Sequence, residues 1–156
     1  MIEALHQYRR LSLHPIDPSE WKKNCFEYIA ESARFIELFK VLDEIHKKGE
    51  KTLIFLESRQ IQDFLAQLLK RKYQLASQPN IINGEVPNVQ RQRFVDEFQA
   101  EPFGQFSVMI VSPQAGGVGF TMTNANHVIH LSRWWNPAIE DQCNDRIYRI
   151  GQNKDV

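Results

Sequence analysis

The residues from Gln142 to Gln152 have the types and the spacing that phosphate chemistry requires. Side chains three and four positions apart share one face of a helix. A helix here therefore places four polar residues on one side: Gln142, Asp145, Arg146 and Arg149. Two guanidiniums on a packed helix suit a polyphosphate whose charge changes during a reaction. The pattern favours nucleoside triphosphate chemistry.

The helix that must carry these arginines has recognisable ends in the sequence. Asn136 is a favoured N-cap residue, and Pro137 is tolerated at the first helical position because its missing N–H has no helical partner there. Gly151 suits the far end, where a left-handed backbone is common. These signals predict a helix from Asn136 to Gly151.

Upstream, apolar runs of strand length alternate with stretches of helical periodicity. The predicted strands are Thr52–Leu56, Asn80–Asn83, Ser107–Val111 and His127–Leu131. Four other helices are predicted. Two cover Glu20–Ala30 and Ser32–Lys48, a third begins at Ser58, and a fourth begins at Pro87–Asn88. Alternation of this kind predicts an α/β fold with a mostly parallel sheet. Ligands of such sheets bind beyond the carboxyl ends of the strands, so the loops there are the candidate site.

The loop after the third predicted strand is rich in glycine, with Gly116, Gly117 and Gly119 close together. Glycine allows a backbone to turn sharply and to approach a ligand closely. Exposed N–H groups here, beside Ser112 and Gln114, suit a phosphate or a DNA backbone. The loop matches neither GxxxxGK[ST] nor GxGxxG, and a tight turn that packs a helix on the sheet is the alternative.

Arg133, Trp134 and Trp135 follow the fourth predicted strand. Two adjacent tryptophans in a loop do not easily both point inward. One is expected to fill the core, and the other is available to stack on a base, a ribose or a partner domain. Arg133 either contacts a phosphate or is a surface charge.

Other polar residues have ordinary structural explanations. Arg91 is expected to pair with a carboxylate such as Glu97 or Asp96, as an arginine on a helix usually does. His127 and His130 are three positions apart on a predicted strand, which places them on opposite faces. That arrangement argues against a shared metal ion.

The overall composition narrows the class of protein. The chain has 156 residues, 42% of them hydrophobic, and a net charge of zero, which is typical of one globular domain. Zero net charge excludes a global attraction to nucleic acid, so any DNA contact needs a local patch. Cys25 and Cys143 have neither metal-ligand nor disulfide spacing. With no signal-peptide pattern and no apolar run of about 18 residues, we expect an intracellular protein that does not span a membrane.

Four segments carry a resemblance to a known family. They are Ala115–Gly119, Thr123 with Ala125, Trp134–Pro137, and Glu140–Gln152, which reads Glu-Asp-Gln-x-x-Asp-Arg-x-x-Arg-Ile-Gly-Gln. Together they resemble the second RecA-like lobe of the Swi/Snf-type ATPases, which belong to helicase superfamily two. The resemblance implies a three-layer, P-loop NTPase-like fold with a lead-in segment at 1–31. The helicase C-terminal lobe then covers 32–156, and its own C-terminal end is expected to be truncated.

The resemblance also implies roles for particular residues. In this family ATP binds between two RecA-like lobes, and the first lobe holds the Mg²⁺ ion. Arg146 and Arg149 are implied to be arginine fingers that reach the γ-phosphate. The implied nucleotide-binding residues are Gln142, Gly117, Gly119 and Asp145. The implied DNA-binding residues are Ser112, Gln114, Gly116, Arg133, Trp134 and Trp135, with Gln114 standing where the family usually has a basic residue.

The implied function is that of the second motor lobe of an ATP-dependent double-stranded-DNA translocase, active only when joined to its first lobe. The alternative is a non-catalytic module of the same fold that binds DNA or a protein partner. A nucleotide-binding enzyme complete in itself is not supported, since the chain has no phosphate-binding loop. The implied location is the bacterial cytoplasm or nucleoid, or the nucleus of a eukaryote.

Overall fold

Buried strands and amphipathic helices alternate along the chain, as the apolar periodicity predicts. The computed structural model describes residues 12–14, 25–116 and 122–132, and the helical positions 138 and 141. The helices are α1 (Cys25–Ala30), α2 (Ala33–Lys48), α3 (Arg59–Tyr73), α4 (Asn88–Ala100) and α5 (Pro113–Gly116). The strands are β1 (Lys51–Phe55), β2 (Ile81–Ile82), β3 (Ser107–Val111) and β4 (His127–His130).

The four strands form one parallel sheet in the order β2-β3-β1-β4. β1 is central, and its Leu53 is aligned with Met109 of β3 on one side and with Val128 of β4 on the other. Helices cover both faces of such a sheet, which explains why β1 and β3 are nearly continuous apolar runs. The predicted α/β fold with a parallel sheet is confirmed.

Helix α2 shows how local sequence sets the ends of an element. The Ser32 hydroxyl accepts a hydrogen bond from Phe35 N–H and caps the start of the helix. Gly49 follows the last helical residue with a φ of 65°, a left-handed conformation that favours glycine. Ser32 Oγ also donates to Leu13 O at 2.7 Å, which ties the lead-in segment to α2. Both predicted ends of this helix are confirmed.

The observed bounds differ from the predicted ones in a few places. β1 begins one residue early, at Lys51, because the backbone of Lys51 bonds to Asn126 on the chain entering β4. β2 is only two residues long. Ser58 occupies the N-cap position of α3, but its side chain makes no capping hydrogen bond. The expected glycine loop begins as the short helix α5, which Pro113 opens.

Each face of the sheet has its own hydrophobic core, because successive strand residues point to opposite faces. One core joins β1 and β3 to α1, α2 and α3, with Tyr28, Phe35, Leu42 and Leu65 among its fully buried side chains. The other core packs the opposite faces of β1 and β3 against α4 and α5. The result is the predicted three-layer arrangement. In the part of the chain that the structure describes, no helix is long and apolar enough to cross a membrane.

Candidate functional site

The loops that follow the strands form one continuous surface. Leu56 N–H donates to Val111 O at 3.0 Å, just beyond the paired residues of β1 and β3. Ser112 N–H donates to Ile82 O at 2.8 Å and joins the next loop to β2. A further bond of 3.0 Å runs from the residue after β4 to the last residue of β1. We call this surface the carboxyl edge; it comprises residues 56–58, 83–86, 112–116 and 131–132.

Three residues predicted to bind DNA lie on the carboxyl edge. Ser112 is buried, with 7% of its surface exposed. Gln114 is exposed on α5, and Gly116 ends that helix. Ala115 is buried in the core that contains β3, which anchors α5 to the sheet. Among residues 112–116, Gln114 is therefore the polar side chain that faces outward.

The remaining predicted site residues lie outside the described residues: Gly117, Gly119, Arg133, Trp134, Trp135, Gln142, Asp145, Arg146 and Arg149. The side chains of Cys25 and Cys143 lie outside them too. The carboxyl edge leads directly into these segments, since Gly116 and Ser132 immediately precede two of them. Ala138 and Asp141 are helical, in agreement with the helix predicted from Asn136 to Gly151.

A buried amide that the sequence pattern does not predict lies at the carboxyl edge. Gln62 on α3 is fully buried. Its Nε2 donates to Leu56 O at 2.6 Å, and its Oε1 accepts from Asn83 Nδ2 at 3.2 Å. One side chain thus joins the loop after β1 to the loop after β2. The available signal was a glutamine three positions before Leu65, on the otherwise apolar inner face of the helix.

Further polar contacts fix the loop after β2. Asn83 Oδ1 accepts a hydrogen bond from Glu85 N–H at 3.0 Å, which closes an Asx-type turn. Arg59 at the start of α3 forms an ion pair with Glu85. Arg91 Nε, on α4, donates to Val86 O at 2.6 Å. An exposed ion pair adds little energy by itself, but here contacts from two helices converge on one four-residue loop.

The predicted pairing of Arg91 with Asp96 or Glu97 is wrong. Arg91 is 8% exposed and shares the buried face of α4 with Val95, so helical periodicity turns it away from those carboxylates. Glu97 bonds instead to the exposed Arg93, whose guanidinium lowers the pKa of the Glu97 carboxyl. Within the described residues, Arg91 has no ion pair.

The two histidines of β4 lie on opposite faces of the sheet, as predicted. His127 Nε2 is 2.6 Å from Glu50 Oε2, whereas the His130 ring stacks on Phe55 with centroids 5.1 Å apart. Among residues 12–14, 25–116 and 122–132, no group of three or more His, Cys, Asp or Glu side chains could hold a metal ion.

The sheet, its helices and the carboxyl edge define a class of protein. Residues 34–151 match the family model described as the helicase conserved C-terminal domain. Because the match covers more than half of the 156 residues, the chain belongs to the helicase conserved C-terminal domain family.

Named relatives come from bacteria as well as eukaryotes. Zorya protein ZorD of Escherichia coli O139:H28 (strain E24377A / ETEC) is 39% identical over 164 residues, which cover 100% of this chain. The putative ATP-dependent helicase/translocase YwqA of Bacillus subtilis (strain 168) is 37% identical over 125 residues, or 80% of the chain. The DNA excision repair protein ERCC-6-like of Homo sapiens is 36% identical over 127 residues, or 81% of the chain. The chain spans 14%, 13% and 10% of the length of these three proteins.

Solved structures agree with the family. The C-terminal part of the Fun30 ATPase domain superposes with a TM-score of 0.75 at 29% identity, over 88% of this chain and 43% of that structure. The Sulfolobus solfataricus SWI2/SNF2 ATPase core domain superposes with a TM-score of 0.74 at 28% identity, over 99% of this chain and 29% of that structure. The resemblance to the Swi2/Snf2-type ATPases is confirmed, and the fold is RecA-like.

Proposed function

We propose that this chain is the second motor lobe of an ATP-dependent translocase on double-stranded DNA. The observation that carries the proposal is the family match over residues 34–151, which includes the arginine motif of Gln142, Asp145, Arg146 and Arg149. The name of the Bacillus subtilis relative, a putative ATP-dependent helicase/translocase, supports the same activity. In this proposal residues 1–31 lead into the lobe and residues 32–156 belong to it.

Arg146 and Arg149 act as arginine fingers in the proposed mechanism. Phosphoryl transfer needs positive charge where negative charge spreads over the γ-phosphate, and such a finger contributes roughly 10³–10⁵ in rate. Gln142 and Asp145 share the helix face that presents the arginines to the nucleotide. Because the first lobe supplies the phosphate-binding loop and the ligands of Mg²⁺, the 156 residues alone do not hydrolyse ATP. Hydrolysis requires the two lobes to close on each other.

The carboxyl edge supplies part of the proposed DNA surface. Gln114 and Gly116 offer an amide side chain and a glycine backbone, both suited to phosphate contacts. Ser112 supports this surface from beneath, since it is buried and its N–H is bonded to β2. Arg133 and one of the two adjacent tryptophans complete the surface by charge and by stacking. DNA contacts of this kind position the motor without reading sequence.

ATP turnover by the full-length protein, with and without duplex DNA, tests the proposal. Stimulation of hydrolysis by DNA is the expected result and would make this chain half of the active site. The alternative function, a lobe retained only to bind DNA or a protein partner, predicts bound DNA with no hydrolysis under either condition.

The isolated chain provides a second test. With zero net charge it should bind duplex DNA weakly and with a shallow dependence on salt, because few counterions are released. Nanomolar affinity of this chain alone at physiological salt would contradict the idea that the two lobes share the DNA surface.

A further inference from the structure

The Gln62 side chain lies beneath the carboxyl edge and uses both ends of its amide. It donates to Leu56 O and accepts from Asn83 Nδ2, at 2.6 and 3.2 Å. A buried amide that is paired at both ends orients its partners, whereas one left half-paired carries a large desolvation cost. The geometry therefore links the positions of two loops that are distant in sequence.

An apolar residue would serve the packing of α3 equally well at this position. The neighbours of Gln62 on the inner face of α3 are apolar, and Ile61, Leu65, Ala66 and Leu69 are all buried. Substituting leucine would add apolar contact there, but it would leave Leu56 O and the Asn83 amide without this partner. Apolar packing alone gives no reason for an amide at position 62, whereas the loops after β1 and β2 both bond to it.

The loop that Gln62 contacts has further bonds of its own and exposes the backbone of Gly84. Asn83 and Glu85 close its turn, and Arg91 bonds to its last carbonyl. A Cβ atom added to Gly84 would meet nothing within 4 Å, so local packing does not require this glycine. The open space above Gly84 allows another backbone, such as a phosphodiester chain, to come close.

We propose that Gln62 is a positioning residue for nucleic-acid binding. It fixes the loop after β2, residues 83–86, against the loop after β1, residues 56–58, so that both meet the phosphodiester backbone as one preformed surface. Ser112, whose N–H is bonded to Ile82 O, adjoins this surface and connects it to the predicted DNA-binding residues. The inference rests on the proposed function, and it adds a residue that itself touches neither DNA nor ATP.

The test compares Gln62→Leu with Gln67→Leu in the full-length protein. Gln67 lies on the same helix but is exposed, so the chemical change is matched while the two loop contacts are untouched. Turnover is measured against the concentration of a duplex oligonucleotide. For Gln62→Leu we expect half-maximal stimulation to need about tenfold more DNA, the effect of losing one or two net hydrogen bonds of preorganisation. Maximal turnover should change far less, and Gln67→Leu should match the wild type in both.

A second variant removes the other end of the contact. Asn83→Ala leaves Gln62 in the core and should shift the DNA requirement in the same direction. Both variants break the bond between Gln62 and Asn83, and each also breaks a second bond: Gln62→Leu the one to Leu56 O, and Asn83→Ala the one from Glu85 N–H to Asn83 Oδ1. Because the shared bond can be lost only once, the effect of the double variant should be smaller than the sum of the two single effects. Thermal unfolding of each variant gives the folded fraction. If the role of Gln62 is purely structural, its substitution should lower the folded fraction and maximal turnover together.

The outcomes separate the inference from the function on which it rests. A wild-type protein that hydrolyses ATP without any response to DNA would defeat the proposed function itself. The positioning role alone would be overturned if DNA stimulates the wild type, both Gln62→Leu and Asn83→Ala are folded, and neither variant needs more DNA than the wild type. If Gln62→Leu fails to fold, Asn83→Ala alone decides, and an unshifted DNA requirement overturns the inference.

Discussion

Lys51 and Leu56 lie at opposite ends of the same buried run, and the polar groups around them have different kinds of partner. Around Lys51, at the amino edge of the sheet, side chains bond to the backbone of neighbouring elements and close the fold. Around Leu56, at the carboxyl edge, side chains bond to loops that face outward. We infer that stability depends mainly on the amino edge and ligand binding on the other, as expected for a parallel α/β sheet.

The amino edge is built around a buried lysine. Lys51 is 2% exposed, and its Nζ donates to Phe98 O at 2.8 Å and to Glu101 O at 2.7 Å. These carbonyls belong to the end of α4, where backbone acceptors lack helical partners and a positive charge is favourable. Lys51 therefore caps α4 from inside the fold and attaches it to the central strand.

Glycines mark the two edges differently. At the amino edge, a Cβ atom on Gly49 would lie 2.3 Å from Gly104 O, so two backbone segments are in direct contact. At the carboxyl edge, a Cβ atom on Gly84 would meet nothing within 4 Å. The first glycine is required by packing inside the molecule, and the second leaves room for a molecule outside it.

The largest expected effect belongs to the arginine motif. Arg149→Ala in the full-length protein should reduce ATP turnover by about 10³ or more, because the γ-phosphate loses a positive charge in the transition state. Duplex binding should be retained, since the arginine faces the nucleotide in the proposed mechanism. Steady-state turnover and a fluorescence binding assay measure the two quantities.

Arg93→Ala is the matched control for that variant. Arg93 is exposed on α4 and bonds to Glu97, away from the carboxyl edge, so its removal should leave turnover unchanged. Equal turnover in Arg149→Ala and wild type would remove the finger assignment.

Gly49→Ala should be the most destabilising of the amino-edge changes. The new Cβ adds the cost of a left-handed backbone and forces apart two backbone segments, together about 3 kcal/mol. Urea unfolding of the 156-residue chain measures the change. Gly84→Ala is the matched control at the carboxyl edge, where we expect a change within about 0.5 kcal/mol. Similar losses from the two variants would contradict the division between the edges.

Lys51→Met should destabilise the chain by about 2 kcal/mol. Two charge-assisted hydrogen bonds to the end of α4 are lost, while removing a buried charge offsets part of that cost. Lys40→Met is the control, because Lys40 is exposed and pairs with Glu37 on the helix surface. Unfolding free energies that are equal for the two variants would show that the internal cap is not needed.

The order of helices and strands could be predicted because each element carries its own apolar period. Ser32 and Gly49 set the ends of α2 by local chemistry, and the strand from Ser107 to Val111 was predicted to the residue. The buried polar groups could not be predicted in the same way. Lys51 resembles a surface residue before a strand, and only contact with the distant end of α4 shows its role.

The candidate site shows the same limit. Its place at the carboxyl ends of the strands followed from the alternation of elements. The role of Gln62 beneath the site did not follow from that alternation. Its partners come from two loops, and one of them, Asn83, is more than twenty residues away in the sequence. Arg91 was misassigned for a related reason: its sequence neighbours include carboxylates, but the helical phase turns it to the buried face.

Apart from the control variants, Tyr73→Phe should have the smallest effect among these changes. Tyr73, at the end of α3, donates its hydroxyl to Asp43 Oδ1 on α2 at 2.8 Å, close to the amino edge. Removing one partly buried hydrogen bond costs about 1 kcal/mol near neutral pH. Unfolding of the wild type and the variant at several pH values measures this difference.

The dependence of this difference on pH is more informative than its size. Burial and the bond to Asp43 raise the pKa of Tyr73 far above its ordinary value of 10.0. The folded state therefore keeps a proton that the unfolded state releases as pH rises through about 10, and wild-type stability falls by up to about 1.4 kcal/mol per pH unit there. The variant lacks this group, so the difference between the two proteins should close by roughly pH 11. A difference that stays constant from about pH 8 to about pH 11 would mean that the hydroxyl is solvated in the folded state, and the polar tie between α2 and α3 at this edge would then rest on the ion pair between Lys72 and Asp43.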